Sequence, residues 1–397
     1  MTTSARPSDS APSQSAESFL HWVKRHVGWM AESPEGSRVV NLATSGVQTA
    51  KSATWFQRTS QERLPDLLAR MEETNEFGLP ALKQAIRRTY RIREEREIYL
   101  TAGASAGYRL ACDALLTGSL GAELLVESPT YEPLVVLPKR VGANVVSVPV
   151  PIKRAKGDVV AAFARTVTPS TTAIVLTNLH NPTGSLLERE EVEQLIQTAK
   201  SIAPEITIII DETFLGLSSD PFRNDSDLDP SVVTISSLTK SFGLGQLRCG
   251  WVVADKDRYP QFAEDWIRFE SIGSKILEAL SLLAFEQIDA LLAESWEHLK
   301  HNRELVVAGT EELRASGLIV GEIPTSGCLS FFRWNREPGL AQLGPRLRDE
   351  FGILVSPGGF FGDRCEHCFR IGFGGAAETV QEGLARLTRG LQTIAGE

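Results

Sequence analysis

Five short apolar runs constrain this chain most. Residues 123–127, 173–177, 206–210, 232–236 and 249–253 are rich in β-branched side chains and hardly alternate with polar ones. A strand with one face in water alternates, whereas a strand covered on both faces does not. Helical patterns stand ahead of the first run, at 79–91 and 104–116, each opening after a glycine-containing turn at Gly78 or Gly103, and further helical stretches alternate with the runs. Buried strands alternating with helices define an α/β fold whose mainly parallel central sheet lies between helices.

Beyond residue 272 the pattern changes. Long helices are expected at 274–290 and 294–316, a strand near 329–334, a helix near 340–351, short strands at 353–356 and 369–372, and a closing helix from Glu378. These make a smaller α+β domain. The expected division is therefore a large domain over 46–272 and a small C-terminal domain over 273–397, because 397 residues exceed the usual reach of one hydrophobic core. Phe19, Trp22, Val23, Val27 and Met30 recur at helical spacing over 17–31, so the segment 19–45 is read as packing on the small domain. Residues 1–18, rich in Ser, Ala and Pro, are expected to be a disordered tail.

Charge and cysteine usage narrow the partners. A net charge of −9 disfavours nucleic acid, which needs a basic surface to release phosphate counterions. No apolar run approaches the roughly 20 residues of a membrane span, and the first residues lack the apolar core of a secretory signal. Five cysteines are an odd number for a disulfide framework, which points to a reducing, cytoplasmic compartment.

The sharpest chemical signal is Ser236-Ser237-Leu238-Thr239-Lys240, which follows a buried run, with Arg248 placed just before the next. A lysine at a strand end, flanked by hydroxyls and backed by an arginine, suits a Schiff base beside a bound phosphate. Neighbouring cations and burial lower a lysine pKa and so supply the neutral amine that such chemistry needs. Other segments stand at other strand ends: Thr101-Ala102-Gly103 before Ala104 and Ser105, Ser128-Pro129-Thr130-Tyr131, Asn181-Pro182-Thr183-Gly184, Asp211-Glu212-Thr213-Phe214, and Cys368-Phe369-Arg370-Ile371-Gly372-Phe373. Taken singly, each is an ordinary turn or surface signal. Together, in this order and spacing, they resemble the fold-type I, aspartate-aminotransferase-like (class I/II) family of enzymes dependent on pyridoxal 5'-phosphate (PLP), over about residues 40 to 375.

The resemblance implies a PLP cofactor and a role for each residue. Lys240 would carry the Schiff base, and Asp211 would pair with the pyridine nitrogen and keep the ring an electron sink. Asn181 would bond the phenolic oxygen, and Tyr131 would stack on the ring. Ala104, Ser105, Ser237 and Arg248 would form the phosphate cup. Arg370 would grip the substrate α-carboxylate as a fork, with Asn181 and Gly46, in Thr44-Ser45-Gly46, completing the substrate side. The partners implied are amino-acid and keto-acid small molecules and a second copy in a homodimer; no metal enters the site.

Two departures bear on the reaction. Relatives carry a tyrosine three residues after the ring-nitrogen aspartate, donating to the phenolic oxygen, and this chain has Phe214. Losing that donor raises the pKa of the cofactor imine and bears on the pH range or the reaction chosen. No tyrosine occurs in 72–77, before Gly78, where relatives reach the neighbouring subunit's phosphate. In these two features, and in the short segment Asn41-Leu42-Ala43-Thr44-Ser45-Gly46-Val47, the chain is also similar to members that modify arginine-like amino acids by elimination and cyclisation or by oxidation, in a capreomycidine-synthase-like or arginine-oxidase-like manner. Transamination is the default that the resemblance implies, and that second class is the alternative.

Other signals are weaker. Cys365 and Cys368 have metal-ligand spacing but no second ligand pair nearby, and zinc takes four donors in a structural site. His180 is a candidate for substrate contact. Gly243 and Gly245 lack the flanking pattern of a dinucleotide site. A PLP-sensing regulator would be expected to carry a basic DNA-binding domain ahead of the core, and the N-terminal residues show no such pattern.

Overall fold

The computed structural model describes residues 39–48, scattered positions within 54–69, and residues 78–116, 121–270 and 273–397. The expected tail over 1–18, the helix over 17–31 and the stretch 72–77 lie outside the described residues.

A two-residue strand, β1 (Val40–Asn41), precedes a seven-stranded sheet built from β2 (Arg96–Thr101), β3 (Glu123–Ser128), β4 (Asn144–Pro149), β5 (Thr171–Thr177), β6 (Thr207–Asp211), β7 (Val232–Ser237) and β8 (Gly250–Asp255). Their spatial order is β2-β8-β7-β6-β5-β3-β4. The run β4-β3-β5-β6-β7 is parallel throughout, and β8 alone runs against its two neighbours, β7 and β2. All five apolar runs of the sequence are strands of this sheet. The two strands that the runs did not reveal lie at its edges. β4 is largely uncovered, with only Val148 buried, and β2 opens on Arg96, paired with Asp255 at 2.8 Å.

Burial on both faces explains the unbroken apolar runs. Leu124 and Val126 of β3 pack with Tyr108 and Leu110 of the helix Ala104–Leu116, while Leu125 packs on the opposite face with Leu195 of the helix Arg189–Ile202. Each such side chain, removed from water, contributes about 1.5–3 kcal/mol. Because the parallel strands point one way, their C-terminal ends meet along one edge, where a ligand site forms in folds of this kind.

The helix Lys275–Phe285 packs its Leu280 and Leu283 with Trp251 and Leu100 of the large sheet. Its successor, Ile288–Gly309, starts at 288, not 294, because Gln287 leaves helical geometry at φ −126° and Ile288, Leu291 and Leu292 extend the second helix's apolar stripe backwards. No glycine or proline marks that break in the sequence. Along this one helix the packing changes hands: Ile288, Leu291 and Leu292 join the large-sheet core, and Leu299 and Val306 join the C-terminal one.

That second core covers an antiparallel sheet of β9 (Ile319–Val320), β10 (Leu329–Trp334), β12 (Ser356–Pro357) and β13 (Cys368–Gly372), in the order β12-β13-β10-β9. Between them β11 (Ile353–Leu354) pairs in parallel with β1. Val40, Leu42 and Val47 are buried in the same core as Phe332, Phe369 and Phe373. The chain before the large sheet is thus anchored on the C-terminal layer. Among the described residues, no helix is long and apolar enough to cross a membrane.

Candidate active site

A cavity of about 260 Å³ opens at the C-terminal edge of the parallel strands. The chain leaving β3 contributes Tyr131 to its wall, that leaving β5 contributes Thr177 and Asn181, that leaving β6 Asp211, Thr213 and Phe214, and that leaving β7 Ser237, Thr239 and Lys240. Ala104 and Ser105, at the start of the helix after β2, and Arg248, just before β8, close one end. Eight residues singled out in the sequence for the cofactor therefore share one cavity.

The closed end suits an anion. Helix Ala104–Leu116 begins there, and the first N–H groups of a helix have no partner within it. Arg248 holds a left-handed backbone at φ 48° and its Nη2 donates to Ala102 O at 2.8 Å. Gly103, at φ +92°, makes this possible, since a Cβ there would stand 2.5 Å from Arg248 Nη2. Ser237 Oγ accepts from Thr239 N at 3.3 Å and keeps the hydroxyl at the wall.

Asp211 brings an acid to the same cavity wall. Thr213 donates to Asp211 Oδ1 from its backbone N, at 2.9 Å, and from its hydroxyl. Both bonds use one oxygen, which leaves Oδ2 for a ring nitrogen. Burial raises the Asp211 pKa, against the lowering by the Thr213 bonds and by Lys240. A cation placed beside it would restore the charged form. Tyr131 is also raised by burial and then by Asp211, so it is neutral and offers an uncharged ring face.

Asn181 is held from two sides. Its backbone N donates to Thr177 Oγ1 at 3.1 Å, and its Oδ1 accepts from Arg370 Nη1 at 2.8 Å. With Oδ1 taken, its Nδ2 is the group available to a phenolic oxygen. Thr177 is fixed in turn by buried Glu127, whose Oε1 accepts Thr177 N at 2.6 Å and whose Oε2 accepts Arg154 Nη2 at 2.8 Å.

Lys240 Nζ donates to Ser45 O at 3.0 Å and Ser45 Oγ at 2.9 Å, and lies 5.9 Å from the centre of the Phe214 ring. Burial, reinforced by Arg370, lowers its pKa to about 8. A measurable neutral fraction therefore exists near pH 7, as a nucleophilic lysine requires.

Arg370 and Gly46 stand behind the cavity wall, against Asn181 and Lys240. Arg370 Nη2 donates to Ala43 O at 2.7 Å and Ser356 Oγ at 3.1 Å, and the guanidinium lies 5.1 Å from the Phe361 ring centre. Its Nε is buried and has no hydrogen-bond partner among the described residues. An unsatisfied buried guanidinium N–H is costly and awaits an acceptor. Burial lowers the Arg370 pKa to about 10, which leaves it cationic at neutral pH. Gly46, at φ +101°, packs under Lys240, where a Cβ would come within 2.9 Å of Lys240 Cδ.

His180 is a structural residue and not a substrate contact. It is fully enclosed, with Nε2 2.9 Å from Pro129 O and Nδ1 2.7 Å from Thr183 Oγ1. A carbonyl only accepts, so Nε2 carries the proton and Nδ1 accepts from Thr183. Burial, and then Arg154, hold its pKa well below 6.5. Cys365 and Cys368 are buried with Phe331 and Phe361, and the described residues contain no group of three or more metal-ligating side chains. The residues missed in the sequence are Ser45, Thr177, Thr213 and Glu127. Only Glu127 had a signal, an acid at the end of an otherwise apolar strand.

These features fit PLP. The glycine-made space beside Arg248, the helix start and Ser237 suit a phosphate, the spare Asp211 oxygen suits a pyridinium, and the orphaned Arg370 Nε suits a carboxylate. Residues 37–387 match the sequence family described as aminotransferase class I and II, and the chain belongs to that PLP-dependent family. Capreomycidine synthase of Streptomyces vinaceus is 29% identical over 288 residues, 69% of each chain. Aspartate aminotransferase of Pyrococcus abyssi is 24% identical over 338 residues, 80% of this chain and 83% of the other. In fold, the chain superimposes on the crystal structure of the PLP-dependent cyclase OrfR with a TM-score of 0.81 at 24% identity, covering 99% of this chain and all of that one.

Proposed function

We propose that this chain is an aminotransferase that moves the amino group of an α-amino acid to a keto acid, with PLP attached at Lys240 Nζ. The observation that carries this reading is the meeting of Lys240 Nζ, Asp211 and the Asn181–Arg370 pair around one cavity. Bound PLP supplies the electron sink for a carbanion formed at the substrate Cα. Asp211 sets a negative charge opposite the pyridinium, Asn181 donates to the phenolic oxygen, and Tyr131 covers one ring face. Ala104, Ser105, Ser237 and Arg248 take the phosphate. Arg370 receives the α-carboxylate, and Gly46 lets the chain close beneath the lysine. Lys240, as a neutral amine, takes the proton from Cα. A homodimer suits this reading, because Ile267, Phe269 and Ile276 leave large apolar side chains exposed on neighbouring segments.

Phe214 favours a second reading in which the carbanion expels a substituent and cyclises, or is oxidised. The likeness to capreomycidine synthase supports it. The test incubates purified protein and PLP with a panel of amino acids, with and without keto acids, and follows absorbance and products. A new amino acid formed from the added keto acid is expected. Ammonia, a cyclic product or peroxide in its absence would select the second reading. Cofactor still covalently attached in Lys240→Ala would overturn both.

A further inference from the structure

We propose that Ser45 is a positioning residue that holds the Lys240 amine in register for proton transfer whenever that amine is not bonded to the cofactor. The proposal rests on the reading of Lys240 as the cofactor-bearing lysine. It starts from two contacts to one atom, Nζ to Ser45 O at 3.0 Å and to Ser45 Oγ at 2.9 Å. Ser45 is itself on the cavity wall, so the contacts are made where substrate would stand.

The surrounding chain makes this contact a built one. Val47 N donates to Lys240 O at 2.8 Å, and Gln48 N donates to Gly374 O at 2.7 Å. Gly46 adopts φ +101° between them, and a side chain there would meet Lys240 Cδ. Residues 45–48 therefore clasp Lys240 by its main chain and by the tip of its side chain. Phe214, whose ring centre lies 5.9 Å from the amine, has no hydroxyl to offer.

The two acceptors are not equivalent. A carbonyl oxygen only accepts, so Ser45 O serves the amine through its N–H groups alone. A neutral amine keeps two N–H groups and an ammonium three, so Ser45 Oγ accepts from the lysine both before and after it takes a proton and leaves the lone pair of the neutral form open to that proton. An acid–base group must be held in both states, and of the two acceptors the hydroxyl is the one that belongs to the side chain. The charged groups acting on the buried amine are Arg370 and Arg248, which favour loss of the proton, and Asp211, which opposes it. Ser45 adds no charge to this balance and acts through its hydrogen bond to the amine.

The test compares Ser45→Ala and Ser45→Thr with the unaltered protein in three measurements: PLP loading by absorbance, the pH dependence of Lys240 acetylation in cofactor-free protein by peptide mass spectrometry, and deuterium loss from a Cα-deuterated amino acid substrate. Ser45→Ala is expected to load PLP normally. Without the acceptor that stabilises the ammonium, its Lys240 pKa falls by about one unit, and deuterium loss slows about tenfold. Ser45→Thr restores both. An unchanged pKa or an unchanged deuterium loss in Ser45→Ala overturns the proposal. Failure of Ser45→Ala to load PLP overturns it too, since Ser45 would then hold the cofactor. Covalent cofactor in Lys240→Ala would instead remove the underlying reading, whatever Ser45 does.

Discussion

Arg370 Nη1 donates to Asn181 Oδ1 at 2.8 Å, joining β13 of the C-terminal layer to the turn that follows β5 of the large sheet. This bond orients two groups at once. It occupies the amide oxygen of Asn181, a residue of the cavity wall, and it leaves Arg370 Nε as the unsatisfied edge of the guanidinium. Arg370→Lys keeps a positive charge but loses the planar fork. The expected result is a rise of about 30- to 100-fold in KM for amino acids, with cofactor loading intact, in steady-state kinetics paired with absorbance. Loss of PLP binding would count against a substrate role.

Asp211 is expected to govern turnover and not folding. Asp211→Asn keeps the shape and the acceptor for Thr213 but removes the negative charge opposite the ring nitrogen. A fall in kcat of about 10²–10³-fold is expected, the usual cost of removing one preorganised charge partner. Burial raises this carboxyl's pKa in the folded protein, so its ionised form opposes folding at neutral pH. The cofactor-free Asn variant should therefore melt no lower than the unaltered protein.

How much of this was legible in the sequence depended on the kind of force involved. Strands covered on both faces announced themselves because burial admits only apolar side chains, whereas β4, with one buried residue, left no such trace. Lys240, Asp211, Asn181 and Arg248 were legible because each stands at a strand end in a recognisable segment. The residues that hold them were not. Thr177 acts on Asn181 through a hydroxyl that sits in an ordinary strand, and Ser45 reaches Lys240 across 195 positions of chain. Nothing local in a serine or threonine distinguishes such a contact from a solvated hydroxyl. His180 shows the converse, since a histidine beside a site motif proved to be a clamp between Pro129 and Thr183.

Gly103 should be felt in cofactor affinity. An added Cβ would stand 2.5 Å from Arg248 Nη2, and φ +92° strains any L side chain. Gly103→Ala displaces the guanidinium from the anion end of the cavity. The expected outcome is a Kd for PLP raised about tenfold by equilibrium titration, the loss of roughly one good hydrogen bond to a charged group. Gly157→Ala provides the control, as that glycine also has positive φ but faces open space.

Phe214→Tyr adds back a hydroxyl near the lysine. The ring is buried at the seam where Leu179 and Leu217 meet the C-terminal core, so the substitution alters chemistry more than packing. A phenol donating into the cavity stabilises the deprotonated form of the bound cofactor. The pH midpoint of its absorbance change should move down by about one unit, with thermal stability unchanged. An unmoved midpoint would mean that the hydroxyl points away from the site and that Phe214 serves packing alone.

The lysine itself sets the pH at which the enzyme acquires its cofactor. Burial and Arg370 depress the Lys240 pKa to about 8 from its ordinary 10.5. Only the neutral amine attacks an aldehyde, so the rate of PLP loading onto cofactor-free protein should rise about tenfold per pH unit below 8 and level off above it. The same shift has a stability consequence of definite sign. Between pH 8 and 10.5 the unfolded chain binds more protons at this lysine than the folded one, so this group's contribution to stability rises with pH across that window. Lys240→Met should remove that rise from the pH dependence of Tm. Replacing Arg370 by leucine should shift the loading midpoint upward, because the cation that helps to expel the proton is gone. A loading profile that climbs unchanged to pH 10 would place Lys240 in an ordinary aqueous environment and remove the basis for its role as acid and base.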